Sequence, residues 1–144
     1  MTQRICFWVG AALAALTGLF NPGIISLDDY NNGFSVMVPA QNAPSVASLA
    51  EGIFPFFPKL VLRTIAQTAY AIGISEPFSQ LRFSLAVLGL AVFLILFTTA
   101  RLLFAGREKE WRVAAFLVAF YFALPLFSSR PMNETLSMPC LTLS

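Results

Sequence analysis

The chain has 144 residues, 58% of them apolar and 11% charged, with nine lysines and arginines against seven acids and no histidine. Water-soluble domains run at roughly 45–50% apolar and about 25% charged, so both departures point to a membrane protein. The net charge of +2 is too small and too dispersed for a nucleic-acid interface, and the absent histidine removes the commonest general base and metal ligand.

Residues 5–25 follow Arg4 and are apolar enough, over about 20 positions, to cross a bilayer. A cleaved signal peptide is the competing reading, with small residues at Ala14 and Ala15. The apolar segments further along make a retained span the more natural expectation. Asn21-Pro22-Gly23 and Asn31-Asn32-Gly33 are turn signals, and Pro39, Pro44 and Pro55 break up any long regular element. A loop this long in a small chain is uncommon unless it is functional. It contains Ser26-Leu27-Asp28-Asp29-Tyr30, where two of the seven acids are adjacent.

Residues 58–72 read as an amphipathic helix at a membrane interface. Lys59, Arg63 and Gln67 recur every four positions as a polar stripe, Leu60, Val61, Leu62, Ile65, Ala69 and Ile72 fill the other side, and Gly73 is a stop. A soluble-type helix packed on its neighbours would show the same stripe. Ser75-Glu76-Pro77 reads as a helix start, with Ser75 as the cap. The helix then runs through Arg82 into residues 83–100, which carry no charge and make the clearest span in the chain. Arg101 ends it, and residues 106–112 read as a short charged hairpin with an interfacial Trp111. Residues 113–127 are a third apolar segment. After the polar turn at 128–134, residues 135–144 begin a fourth that is too short to cross, so the chain reads as the front part of a longer protein. Cys6 and Cys140 lie far apart in apolar segments and suggest neither a metal site nor a disulfide.

The expected fold class is therefore all-α: a polytopic membrane helix bundle with an amphipathic interfacial helix in a first outer loop at 26–75. Arg101, Arg107, Lys109 and Arg112 cluster after the second span and Arg4 precedes the first. The positive-inside rule puts both places in the cytoplasm. Asp28, Asp29, Arg130 and Glu134 then share the periplasmic or lumenal face of a bacterial inner membrane or the endoplasmic reticulum. A carboxylate there can act as a general base towards a sugar hydroxyl, while an arginine stabilises a phosphate leaving group. The bland reading is a solvated acidic loop, with Arg130 and Glu134 as an i, i+4 ion pair and Lys59 and Arg63 as snorkelling cations.

The order of these segments resembles the N-terminal part of the GT-C membrane glycosyltransferases, in particular the lipid-phosphate-mannose-dependent mannosyltransferases of the GPI-anchor and N-glycan pathways and their bacterial relatives. Asp28-Asp29 matches the family's acidic pair after the first span, with Ser26-Leu27 where the family often has His-Pro. Ile53-Phe54-Pro55-Phe56-Phe57-Pro58 is similar to its Pro-rich approach to an interfacial helix, and Glu76-Pro77-Phe78-Ser79-Gln80-Leu81-Arg82 to its Pro-led second span. Ser129-Arg130-Pro131-Met132-Asn133-Glu134-Thr135-Leu136-Ser137-Met138-Pro139 is similar to its later turn. The resemblance implies a sugar, mannose by analogy, transferred from a polyprenyl-phosphate donor to a glycan acceptor. Asp28 or Asp29 would be the base, with Arg130 and Glu134 near the acceptor or lipid phosphate. Some relatives use a divalent cation and others do not. The remaining part of the same enzyme would be needed to complete the site. A small non-catalytic membrane protein packing on a partner subunit is the alternative from another class. A transporter subunit is the least favoured, since residues 83–100 carry none of the charges that mark transport.

Overall fold

The computed structural model describes residues 3–20 and 56–121. They form four helices: α1 (Gln3–Leu19), α2 (Phe56–Ala71), α3 (Pro77–Leu103) and α4 (Glu108–Phe120). Among the described residues there is no strand, as the all-α expectation requires.

Helix α3 is the axis on which the others pack. Its 27 residues span about 40 Å at ~1.5 Å per residue, more than the ~30 Å hydrocarbon thickness of a bilayer. It is the one helix among the described residues that is both long and apolar enough to cross a membrane. The apolar stretch 83–100 lies wholly within it. Its start differs from the expected Ser75 cap. Glu76 is the capping residue, and its carboxylate accepts hydrogen bonds from the backbone N–H groups of Phe78 and Ser79. Pro77 occupies the first turn, where a missing N–H costs nothing. The longer glutamate side chain reaches the two donors that a serine one position earlier does not.

The end of α2 follows the sequence closely. Gly73 has φ +97°, its N–H donates to Tyr70 O, and the Ile74 N–H donates to Ala69 O, each at 3.0 Å. This is a Schellman closure, which favours glycine because the left-handed conformation penalises any Cβ. Ile72, placed by periodicity on the apolar side, lies past the helix and is exposed. The expected stripe also divides. Gln67 is exposed and Arg63 half-buried, but Lys59 is buried on the same face as Leu62, Ala66 and Ala69. Positions 59, 62, 66 and 69 follow the three-and-four spacing of one helix face, so Lys59 is carried inward by register rather than by polarity.

Two apolar clusters meet on α3. On one side Leu62 and Ala66 of α2 pack against Leu81, Leu85, Leu88 and Val92. On the other, Cys6 and Ala14 of α1 and Trp111, Ala115 and Ala119 of α4 surround Phe93, Phe97 and Ala100. Helix α1 buries Cys6, Gly10, Ala14 and Gly18, one small residue every four positions. Its large apolar side chains, Ile5, Trp8, Leu13, Leu16 and Leu19, face outward and are exposed. Gly18 lies against the backbone of Leu85 and Ala86, and Gly10 against the Phe93 ring and Ala119 Cα. Phe7, near the start of α1, meets Phe97 near the end of α3. Helix α1 is therefore antiparallel to α3 and runs in the same direction as α4.

The charged hairpin is shorter than its sequence suggested. The turn occupies residues 104–107, with Gly106 at φ +80°, and α4 has begun by Glu108. The Arg107 guanidinium donates to Leu103 O at 3.0 Å and lies over the Phe104 ring, placing a cation at the negative end of α3. Trp111, expected at an interface, is buried, with its ring 5.0 Å from that of Phe97 in a T-shaped contact. The i, i+4, i+8 spacing of Trp111, Ala115 and Ala119 puts it on the packed face of α4. Residues 122–127 of the expected third span and all of 135–144 lie outside the described residues.

Candidate functional site

The residues singled out for chemistry, Asp28, Asp29, Arg130 and Glu134, lie outside the described residues. Lys59 and Arg63, read as snorkelling cations on the same loop, are described, and both are engaged in interactions rather than free. Among the described residues no group of three or more histidine, cysteine or acidic side chains is arranged to hold a metal ion. Cys6 is a buried free thiol within the small-residue face of α1.

What the described residues do bring together is a basic end. The start of α1, the last turns of α3 and the start of α4 converge there, and the Gln3 side-chain amide donates to Glu108 Oε2 at 3.1 Å. Gln3, Arg4, Phe7, Phe97, Thr98, Arg101 and Trp111 line a cavity of about 510 Å³ between the three helices. Its floor is aromatic. Phe7, Phe97 and Trp111 form a chain of edge-to-face contacts, with ring centroids 5.2 Å apart for Phe7–Phe97 and 5.0 Å for Phe97–Trp111. Its rim carries two guanidinium groups and no carboxylate. Both arginines are exposed, and neither has a hydrogen-bond or ion-pair partner among the described residues. The charge asymmetry of the sequence pointed to Arg4 and Arg101. Gln3 and Thr98 carried no sequence signal, because the cavity exists only once α1 lies across α3.

A second, shallower groove of about 630 Å³ runs between α3 and α4 and is lined chiefly by Ala100, Phe104, Val113, Ala114, Leu117 and Val118, with Lys109 and Glu110 at its edge. At the opposite end of α3, the ionisation of Glu76 is shifted. The hydrogen bond from the Ser79 side chain, with the Phe78 and Ser79 N–H groups and Arg82 assisting, holds its carboxyl below the usual glutamate range. Gln80, buried behind it, donates to Ile74 O at 3.0 Å and Ser75 O at 3.3 Å. These contacts tie the α2–α3 turn to the first turn of α3 and leave the Glu76 carboxylate fully occupied as a cap, a structural task rather than a chemical one. Within α3, the Thr99 hydroxyl is buried with no hydrogen-bond partner. Compared with protein-family models, curated proteins and solved structures, the chain gives no match.

Proposed function

We propose that the chain is a multi-pass integral membrane protein, with α1, α3 and α4 in the bilayer and the basic end in the cytoplasm. The observation that carries this reading is the inverted sorting of side chains in α1, where small residues are buried and large apolar ones exposed. In water that arrangement leaves most of the driving force for folding unused. In lipid, exposed Leu, Ile and Trp cost nothing and small residues let helix backbones approach. Helix α4 repeats the pattern, with Ala115 and Ala119 buried and Val113, Phe116 and Leu117 exposed. Alkaline extraction of native membranes tests it: the chain stays in the pellet, and release into the supernatant would overturn the reading.

We further propose that this bundle holds the acidic loop of a glycosyltransferase at the periplasmic or lumenal face, acting on a polyprenyl-phosphate sugar. Asp28 or Asp29 takes the proton from the acceptor hydroxyl as its oxygen attacks the anomeric carbon, and the lipid phosphate leaves beside Arg130, with Glu134 near the acceptor. The support for the reaction is the ordered resemblance of Asp28-Asp29, Glu76-Pro77 and Ser129-Arg130 to the GT-C family. The support for the side is the charge asymmetry between Arg4 with 101–112 and the acidic loop. In the full-length protein, Asp28→Asn or Asp29→Asn is expected to lower transfer from a lipid-phosphate sugar by at least ~100-fold, the loss of a general base. Transfer unchanged in both variants would remove the base assignment.

A non-catalytic subunit that packs on a membrane partner is the second reading. It is favoured by the apolar α3–α4 groove and by the buried polar side chains of α3, Gln80, Ser84 and Thr99, which are uncharged.

A further inference from the structure

We propose that the cavity at the basic end is a binding site for the phosphodiester headgroup of an anionic membrane lipid. The inference needs α3 to cross the bilayer but is independent of any sugar chemistry. Three observations converge on it. The rim carries Arg4 and Arg101, from two different helices, with no carboxylate among the lining residues. Neither guanidinium is satisfied within the described structure. Arginine presents a planar fork of donors that matches the oxygens of a phosphate, and a pair of them on one cavity gives it a positive charge that no described residue pairs with directly. Finally, Gln3 and Thr98 add polar hydrogen-bonding groups to the lining, while Phe7, Phe97 and Trp111 give it an apolar floor. That combination suits a group that is an anion at one end and hydrocarbon at the other. One carboxylate lies just outside the lining: Glu108 Oε2 accepts a hydrogen bond from the Gln3 amide.

Position favours a lipid over a dissolved phosphate ester. Arg101 lies in the last turn of α3, at the level where a spanning helix leaves the hydrocarbon and meets the headgroups. Basic pockets between membrane helices on the cytoplasmic side are suited to anionic headgroups. The aromatic floor is continuous with the buried cluster of α1, α3 and α4 through Phe93 and Phe97.

The test uses Trp111 as the reporter, because its ring lines the cavity. The chain has two tryptophans, and the exposed Trp8 is replaced (W8F) so that Trp111 emits alone. The full chain in dodecyl maltoside micelles is titrated with phosphatidylglycerol, or with phosphatidylcholine, brominated in the acyl chains near the headgroup. The expected result is half-maximal quenching of Trp111 at a mole fraction of phosphatidylglycerol at least ~10-fold lower than of phosphatidylcholine. R4Q/R101Q should remove the preference, bringing the two lipids to within about twofold of each other. R107Q/R112Q, which removes two cations outside the cavity, should leave most of it. Helical circular dichroism identical to the parent confirms that R4Q/R101Q is folded, and R4K/R101K, keeping charge without the fork, should retain only part of the preference. Equal quenching by the two lipids would overturn the proposal. Equal loss in R107Q/R112Q and R4Q/R101Q would also overturn it, by showing a diffuse surface charge. Displacement of phosphatidylglycerol by equimolar glycerol phosphate would overturn the lipid assignment in favour of a soluble phosphate ester.

Discussion

The two faces of α3 are built on different principles. Towards α1 it offers Ala86 and receives Gly18, so that backbone meets backbone and a Cβ on Gly18 would lie 2.4 Å from Ala86 N and Cα. Towards α2 it offers Leu81, Leu85, Leu88 and Val92 and receives Leu62, which is completely buried. The first contact works by close approach, the form of association that remains when the surrounding solvent is as apolar as the side chains. The second works by interdigitating branched side chains. One helix thus carries a small-residue contact on one face and a branched-side-chain contact on another.

The contrast is sharpest in substitutions. Gly18→Leu should have the largest effect. The new side chain meets backbone atoms of Leu85 and Ala86 that have no room to retreat, so α1 must leave α3, at a cost of about 3 kcal/mol or more. Reversible unfolding in mixed detergent and dodecyl sulfate micelles measures it. A stability equal to the parent would mean that α1 does not pack as described. Leu62→Ala should come next, at roughly 2–4 kcal/mol for a leucine removed from a filled site. Hydrogen exchange should show the loss confined to α2, with α1 protection intact; a loss shared equally by the two helices would erase the distinction between the faces.

A smaller effect is expected from Glu76→Ala, which frays the start of α3 and speeds exchange of the Phe78 and Ser79 amides. Acid should reproduce it in the parent. The carboxyl is held lower in the folded chain than in the unfolded one, so the folded state favours its ionised form. The stabilisation is fully present above the usual glutamate range and fades as the pH falls through the lowered folded value. Amide exchange at Phe78 that did not change on acidification would rule out the carboxylate as the cap. Smallest is Trp8→Phe, which alters an outward-facing ring and should shift stability by no more than about 0.5 kcal/mol.

Much of this arrangement was legible in the residues themselves. The uncharged run at 83–100, the Pro at 77 and the Gly at 73 marked α3 and the turn before it, because length, a missing N–H and a left-handed backbone each leave a local signature. Lys59 was misplaced because polarity was read as exposure, whereas tertiary register decides which face of α2 meets α3. Residue type points to Ser75 as the cap, whereas side-chain reach selects Glu76 for the donor pair. The fourfold repeat of Cys6, Gly10, Ala14 and Gly18 was in plain view, but its meaning depends on a partner helix that sequence spacing does not name. The acidic pair Asp28-Asp29 is the opposite case: a motif with a reaction attached by resemblance, on residues outside the described helices.

The turn at residues 104–107 has a consequence for biosynthesis. Four residues separate α3 from α4, so closing that hairpin loses little chain entropy, and the pair can form while the ribosome is still near. Gln3 and Glu108, by contrast, are 105 positions apart, and their encounter must wait for the hairpin to exist. The Gln3–Glu108 bond, which joins α1 to α4, is thereby a late contact, made after the short-range α3–α4 turn.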